Sequence, residues 1–213
     1  MQMRLAQEGR IIVLPLALIT ALMIWLFVRI EFSMIIPWVI FGVLVFCFNF
    51  FRDPIRKIPE GDNLIISPAD GKIVKITDII DEDVGDAQLV SIFLNVFNVH
   101  INRMPIEGTF MTVNYKTGKF LAAFDHKASD ENEQTEITIK STIGTVKVKQ
   151  IAGLIARRIL CYAKPAEKML QGGRLGFIRF GSRTDLILPK HVKLSVELGQ
   201  KVIGNETIIG TFE

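Results

Sequence analysis

The sequence predicts a mainly β domain, a compact sandwich or barrel with few short helices, preceded by an N-terminal hydrophobic helical hairpin. Two observations predict it. Residues 11–28 and 34–51 are uncharged and apolar, whereas the remainder of the chain consists of short segments rich in Val, Ile and Thr, separated by turn residues. We therefore expect the hairpin at 1–51, a linker at 52–63 and the β domain at 64–213.

The apolar runs have the features of a membrane anchor. The first is long enough to cross roughly 30 Å of hydrocarbon as a helix. Basic residues precede the first run and follow the second, so the positive-inside tendency places both ends, and the β domain, on the cytoplasmic face of the cell membrane. These residues are Arg4, Arg10, Arg52, Arg56 and Lys57. Because Pro15 and Pro37 weaken the two helices, a hairpin that lies on the membrane without crossing it is the alternative.

The predicted linker contains Pro54, Pro59 and Gly61, which interrupt regular structure. Beyond it, strand patterns occupy residues 71–80, 88–96, 135–142 and 144–152, and the C-terminal 22 residues have the pattern of strands separated by glycine turns. Helical patterns occur only at residues 152–160 and 165–170. The β class therefore depends on many short strands rather than on a few long ones.

Composition excludes several classes of function. The net charge is only +3 and no dense Lys/Arg block occurs, so nucleic acid is not an expected partner. Cys47 and Cys161 lie far apart in unlike surroundings, which disfavours a disulfide. The three histidines are widely spaced, and we therefore expect no metal site.

The segment RLGFIRFGSRTDLILP, residues 174–189, places a strand-like apolar run on each side of Gly181-Ser182. A small nucleophile next to an unhindered peptide carbonyl is unusual inside a buried β segment. Together with His100 and Asp70, Ser182 allows a hydrolase triad. However, Ser182 is not part of the Gly-x-Ser-x-Gly elbow of many serine hydrolases.

Three other polar segments are candidates for chemistry. Asp70 lies in a Pro-Ala-Asp-Gly turn directly before a strand, a place where turns use Asp for structural reasons as well. His100 lies in an apolar strand-like stretch with Asn and Arg neighbours, so a catalytic base and a buried core histidine are both open. Residues 120–136 form an acid- and amide-rich segment, either a solvated loop or a binding loop.

Several segments, in this order, resemble the phosphatidylserine decarboxylase family. They are FFRDPIRKIP, ISPADGKI, NVFNVHINRMPIEG, AAFDHKASDENE, IAGLIARRI, RLGFIRFGSRTDLILP and GQKVIGNETIIG. The resemblance extends from about residue 50 to the end of the chain and is narrowest with the short, membrane-anchored prokaryotic branch of that family.

The resemblance implies a proenzyme that cleaves itself between Gly181 and Ser182. The products are a large chain, 1–181, and a small chain, 182–213, which stay together as a heterodimer. Ser182 becomes a covalent pyruvoyl group, the sole cofactor. Its ketone forms a Schiff base with the amine of phosphatidylserine, and loss of carbon dioxide gives phosphatidylethanolamine. The implied enzyme is a carboxy-lyase of phospholipid biosynthesis.

The resemblance also implies roles for individual residues. His100 is the base for self-cleavage, for decarboxylation or for both, and Asp70 orients it. Longer bacterial relatives carry a second histidine where this chain has Arg103. By charge and placement alone, Arg103, Arg157 and Arg158 are candidates to bind the substrate's phosphate or carboxylate. An exposed helix face is the alternative for the last two.

Three alternatives stay open at this stage. An ether lipid with the same head group, archaetidylserine, would undergo the same chemistry. A membrane-anchored serine hydrolase would use Ser182, His100 and Asp70 without self-cleavage. An anchored scaffold or carrier module would use none of them. The oligomeric state of the processed unit has no sequence signal.

Overall fold

The computed structural model of the chain describes residues 2–30, 35–61, 63–118, 132–153, 158–179 and 182–212. The chain divides into two compact units, Met1–Ile55 and Arg56–Glu213. The first unit is helical and the second is made of strands. The predicted fold class, mainly β after an apolar helical segment, is thus confirmed.

The N-terminal unit consists of helices α1 (Gln7–Arg29) and α2 (Ile35–Phe50), which pack against each other. Strands β1 (Met3–Leu5) and β2 (Arg52–Pro54) pair antiparallel where the chain enters α1 and leaves α2. With 23 residues, α1 is long and apolar enough to cross a membrane, whereas α2 has only 16. Most of their large apolar side chains are exposed, which suits an apolar surrounding.

The described residues of the C-terminal unit form three antiparallel sheets. Its strands are β3 (Leu64–Ile66), β4 (Gly71–Asp81), β5 (Gly85–Leu94), β6 (Ile101–Arg103), β7 (Gly108–Lys116), β8 (Gln134–Ser141), β9 (Gly144–Ala152), β10 (Ile159–Cys161), β11 (Lys168–Met169), β12 (Arg174–Ile178), β13 (Ser182–Pro189), β14 (Lys193–Leu194), β15 (Lys201–Val202) and β16 (Ile208–Thr211). The large sheet has the order β11-β7-β8-β9-β13-β5-β4-β15. The two small sheets have the orders β10-β12-β6 and β14-β16-β3.

Of the two helical segments expected within the β domain, residues 165–170 are not helical, and that part of the prediction is wrong. Residues 154–157 of the first segment lie outside the described residues, but its last residues begin strand β10, which pairs with β12. In the second segment, Ala166 has a φ of 68°, which a right-handed helix cannot accommodate. Pairing of β11 with β7 overrides the weak helical pattern that follows.

Alternation along the central strands separates an apolar face from a polar face of the large sheet. We call the inner face the one that carries Leu186 and Leu188 of β13. It packs on one core cluster that also includes Ile65 of β3 and Ile209 of β16. Because these strands belong to the β14-β16-β3 sheet, the core holds the two sheets together.

The opposite face of the large sheet buries charged side chains. The Lys147 ammonium lies 2.8 Å from both an Asp81 and an Asp83 carboxylate oxygen. Burial alone would lower the pKa of Lys147, but hydrogen bonds and charge interactions with the two aspartates raise it above its usual value. Burial likewise opposes ionisation of Asp81, yet Lys147 and two backbone N–H groups lower its pKa. The salt bridge therefore ties the β4–β5 turn to β9.

We expect Lys147→Met to lower the free energy of unfolding by roughly 3 kcal/mol, because it leaves the buried Asp81 carboxylate without its ion-pair partner. The measurement is urea unfolding of the whole protein at neutral pH. The control is Lys164→Met, whose exposed pair with Glu167 should contribute less than about 1 kcal/mol. Equal effects of the two variants would contradict the analysis.

The same pair predicts a pH dependence. Since the folded state lowers the pKa of Asp81, its stabilisation is lost as pH falls through the folded pKa. Since the folded state raises the pKa of Lys147, that contribution is complete below the unfolded pKa and is lost as pH rises through the folded one. The stability difference between wild type and Lys147→Met should therefore shrink at both extremes.

Candidate active site

Ser182 begins β13, a strand with partners on both sides. It lies opposite Leu94 of β5 and opposite Ala152 of β9. Its side chain is 0% exposed, and its Oγ has no hydrogen-bond partner among the described residues. Leaving a buried hydroxyl unsatisfied costs about 1–3 kcal/mol. Such an atom in a well-paired strand needs a functional explanation.

The chain passes from one sheet to another just before Ser182. Strand β12 ends at Ile178 in the β10-β12-β6 sheet, and β13 begins in the large sheet. Gly181, the predicted cleavage position, lies outside the described residues. The peptide bond between positions 181 and 182 thus joins segments that separate sheets hold in place, so its loss leaves both ladders intact.

A buried chain of side-chain hydrogen bonds connects these two sheets. Gln150 of β9 donates from Nε2 to Asn102 Oδ1 at 2.7 Å. Asn102 of β6 donates from Nδ2 to Thr184 Oγ1 at 2.9 Å. All three residues are 0% exposed. Gly176 of β12 makes room for the chain, since a Cβ there would lie 2.5 Å from Gln150 Nε2 and 2.3 Å from a backbone oxygen.

Sequence reasoning noted Asn102 only as a neighbour of His100 and missed Gln150 and Thr184. A signal was present. Along the inner face of β9 and β13, Val146, Val148, Leu186 and Leu188 are apolar, whereas Gln150 and Thr184, directly opposite each other, are polar and adjoin Ser182. Paired polar residues at core positions of adjacent strands indicate a buried network.

His100 is fully buried directly before β6. Its carbonyl oxygen accepts a hydrogen bond from Ile178 N–H at 3.1 Å, which continues the pairing of β6 with β12. Its ring Nδ1 lies 2.9 Å from the carbonyl oxygen of Asn98. Because a carbonyl can only accept, Nδ1 carries the hydrogen and Nε2 holds the basic lone pair of the neutral ring.

His100 and Ser182 each lie two residues before a member of the hydrogen bond between Asn102 and Thr184. Side chains two residues apart along an extended chain point to the same side. The backbone of His100 also bonds Ile178, the last residue of β12, and β13 begins four residues later. This placement fits a role for His100 at Ser182, which stays a prediction.

Asp70 lies near the same end of strand β5 as Ser182. Lys72 and Arg183 both pair with Phe93 of β5, one from each side. Asp70 precedes Lys72 by two residues, and Ser182 precedes Arg183 by one. The carboxylate of Asp70 receives two hydrogen bonds from the Arg56 guanidinium, to Oδ1 and, at 2.8 Å, to Oδ2. Gly204 N–H donates to Oδ1 at 2.9 Å.

These contacts bear on the role expected of Asp70. The oxygen that orients the His100 ring at Nδ1 is the carbonyl of Asn98, whereas the contacts given above for Asp70 are with Arg56 and Gly204. Orientation of His100 by Asp70 stays a prediction. What the structure adds is that Asp70 joins the segment after the hairpin to the C-terminal part of the chain.

The arginines predicted to bind substrate lie in different places. Arg103 is half-buried on β6, and its N–H donates to the Pro68 carbonyl at 2.8 Å, beside the turn that holds Asp70. Arg158 is exposed, and its carbonyl accepts a hydrogen bond from Arg179 N–H at 3.3 Å. Arg157 and most of the acidic segment lie outside the described residues. Their substrate roles stay predictions.

A buried ion pair supports Ser182 from the opposite face of β13. Arg183 is 2% exposed and donates to Asp185 from Nε at 2.6 Å and from Nη2 at 2.9 Å. Its Nη2 also donates to Ser91 Oγ at 2.9 Å. Since Ser91 is on β5, the pair ties β13 to its neighbour. Within the described ranges, no cluster of His, Cys, Asp and Glu could hold a metal ion.

We expect Arg56→Met to lower the free energy of unfolding by roughly 3 kcal/mol, because Asp70 then lacks its partner in a mostly buried site. Arg56→Lys keeps the charge without the two-point geometry and should have an intermediate effect. Urea unfolding provides the measurement, with the exposed neighbour substitution Lys57→Met as control. Wild-type stability of Arg56→Met would show that the pair contributes nothing.

Comparison with known proteins gives a consistent result. Residues 43–210 match the family described as phosphatidylserine decarboxylase. The chain is 46% identical over 168 residues to a phosphatidylserine decarboxylase proenzyme of Chlorobaculum parvum, which covers 78% of each chain. It is 48% identical over 171 residues to the proenzyme of Ehrlichia ruminantium, covering 78% of this chain and 75% of the relative.

A further relative matches nearly end to end. The phosphatidylserine decarboxylase proenzyme of Syntrophus aciditrophicus is 41% identical over 215 residues, which covers 98% of this chain and 97% of the relative. The similarity therefore includes the apolar N-terminal segment as well as the strands that carry the candidate site.

Proposed function

The chain belongs to the phosphatidylserine decarboxylase family and is a carboxy-lyase, and we propose that it decarboxylates its lipid with a pyruvoyl group made from its own Ser182. The single observation that carries this proposal is the buried, unpartnered Oγ of Ser182 at the start of a doubly paired strand. A serine in that position fits the prosthetic group because the strand holds its backbone while the side chain is free to react.

Self-cleavage begins with proton removal from Ser182 Oγ. His100 is the base, since the hydrogen bond to the Asn98 carbonyl places the ring hydrogen on Nδ1 and the basic lone pair on Nε2. The oxygen attacks the carbonyl carbon of Gly181, the C–N bond breaks, and an ester replaces the amide. Removal of the Ser182 α-proton expels the Gly181 carboxylate, which keeps Oγ. Water then hydrolyses the resulting enamine, releasing ammonia and leaving a ketone.

Once formed, the ketone supplies an electrophile for the substrate's amine and an acceptor for the electrons that carbon dioxide leaves behind. The chain's own residues hold that group in place. Strand β13 keeps position 182 between β5 and β9, and Arg183 with Asp185 anchors the next residues. His100, at the same end of the sheet contact, can return a proton to the substrate carbon. No metal is required for any of these steps.

The cleavage products would remain together. The small chain, 182–213, contributes β13 between β9 and β5, β15 beside β4, and β16 beside β3. Each strand has backbone partners on the large chain. We expect both chains to co-purify as a heterodimer under native conditions and to separate under denaturing ones.

Membrane association is the proposed reason for the N-terminal unit. The exposed apolar surface of α1 and α2 suits a bilayer, and the basic residues before α1 and after α2 suit the cytoplasmic face. An enzyme fixed to the bilayer meets its lipid at high effective concentration. The head group then needs to reach position 182 while the acyl chains stay in the membrane.

We expect purified wild-type protein to show two masses that correspond to chains 1–181 and 182–213, the smaller with a borohydride-reducible N-terminal carbonyl. Ser182→Ala should stay as one chain and release no carbon dioxide, because it lacks the nucleophile. His100→Gln should cleave at least 100-fold more slowly, within the range ascribed to general-base catalysis. Mass spectrometry and carbon dioxide release measure these outcomes.

Two results would contradict this proposal. An intact wild-type chain that still releases carbon dioxide would exclude the pyruvoyl mechanism. An intact chain labelled by a fluorophosphonate at Ser182 would indicate a serine hydrolase instead. With self-cleavage established, parallel assays on diester and diether phosphoserine lipids would show whether the lipid backbone matters, and we expect the diester to be the better substrate.

We expect the protein to stay in the membrane fraction after an alkaline carbonate wash, since a hairpin that crosses the bilayer resists extraction. Release by the wash would indicate a hairpin lying on the surface. The control is the same protein without residues 1–51. It should appear in the soluble fraction of expressing cells and act on detergent-dispersed lipid. Its activity would show that it has lost the anchor but not the fold.

A further inference from the structure

We propose that Asn102, Gln150 and Thr184 are positioning residues for both self-cleavage and decarboxylation. Their buried hydrogen-bond chain sets the register between the strand that carries His100 and the strand that begins with Ser182. This inference rests on the proposed function, because it concerns how the base and the reacting residue are aligned.

The directions of the two hydrogen bonds make this hydrogen-bonded series specific for one arrangement of its three side chains. The donor sequence runs from the Gln150 amide to Asn102 and from the Asn102 amide to the Thr184 hydroxyl. The first bond orients the Asn102 amide, so that its nitrogen faces Thr184. Successive polar groups in a buried chain polarise one another and strengthen each bond. Gly176 is required because any side chain there would displace Gln150.

The surroundings make the polar character informative. Further along the same face of β9 and β13 are Val148, Val146, Leu186 and Leu188, all in the apolar core. Apolar contacts between sheets tolerate sliding, whereas a hydrogen bond from one amide to one hydroxyl fixes a single alignment. Three buried polar side chains at positions where apolar ones would pack therefore indicate that they fix the alignment of the two strands. Buried polar groups fix register in this way in other proteins.

Both ends of this alignment lead to reacting groups. His100 precedes Asn102 by two residues, and Ser182 precedes Thr184 by two residues. After self-cleavage, position 182 is the first residue of a separate chain. The bond between Asn102 and Thr184 then ties the start of the small chain to the strand with the base. A shift of about 1 Å between reacting groups can cost roughly 100-fold in rate.

The decisive variants are Thr184→Val, which keeps the shape and removes the hydroxyl, and Thr184→Ser, which keeps the hydroxyl. Gln150→Met removes the donor that orients Asn102. The matched control is Thr138→Val. Thr138 is another buried threonine of the large sheet, and its hydroxyl lies 3.3 Å from an Asp83 carboxylate oxygen. It takes no part in the hydrogen bonds among Gln150, Asn102 and Thr184. All are made in the full-length protein.

We expect Thr184→Val to slow self-cleavage by roughly 10- to 100-fold and, in fully processed protein, to lower kcat on phosphatidylserine vesicles by a similar factor with KM unchanged. Thr184→Ser should restore most of both rates. Gln150→Met should show a smaller loss in the same direction. Thr138→Val should cleave and turn over like wild type, and the thermal unfolding temperatures of the two valine variants should be similar.

Wild-type rates in Thr184→Val would overturn the inference, as would a rise in KM with kcat unchanged, which would indicate contact with substrate. A loss of rate that serine does not restore would overturn it as well, since the hydroxyl would then be irrelevant. These outcomes differ from failure of the proposed function, in which wild-type protein itself would remain uncut.

Discussion

Pairing of β13 with a neighbour on each side is the constraint on which the site depends. It buries Ser182 with an unsatisfied hydroxyl and holds its backbone through two ladders. The chain moves from one sheet to the other between Ile178 and Ser182, the interval that contains the bond proposed to break. A bond at such a junction can be lost without unravelling either sheet, because the ladders on both sides are closed by other strands.

The polar groups around this strand have divided roles that follow from the face on which they lie. On the inner face, Asn102 joins the strand of the base to Thr184. On the opposite face, Arg183 forms an ion pair with Asp185 and donates a hydrogen bond to Ser91. The ring of His100 obtains its orientation from a backbone carbonyl, which cannot titrate.

The sequence indicated the class of the fold and the central chemical feature. Alternating Val, Ile and Thr predicted the bounds of β4, β5, β8 and β9 to within three residues. The Gly-Ser pair between apolar runs drew attention to Ser182, and its role as the reactive residue, implied by the family resemblance, stays a prediction. Helices near residues 152–160 and 165–170 were wrong where described, because pairing with distant strands overrode local pattern. The contacts among Asn102, Gln150 and Thr184 join residues up to 82 positions apart, and such register is set by packing that one sequence does not reveal.

The interleaving of the last 32 residues has a consequence for the lifetime of the enzyme. Chain 182–213 has no core of its own, and the large sheet without β13 would expose two unsatisfied edges. If the chain is cut as proposed, neither piece keeps its fold without the other, and we expect both to be degraded together. The chain end at position 182 would be shielded from exopeptidases, because Ser182 is buried in the sheet. The proposed maturation would thus create two polypeptides that share one lifetime.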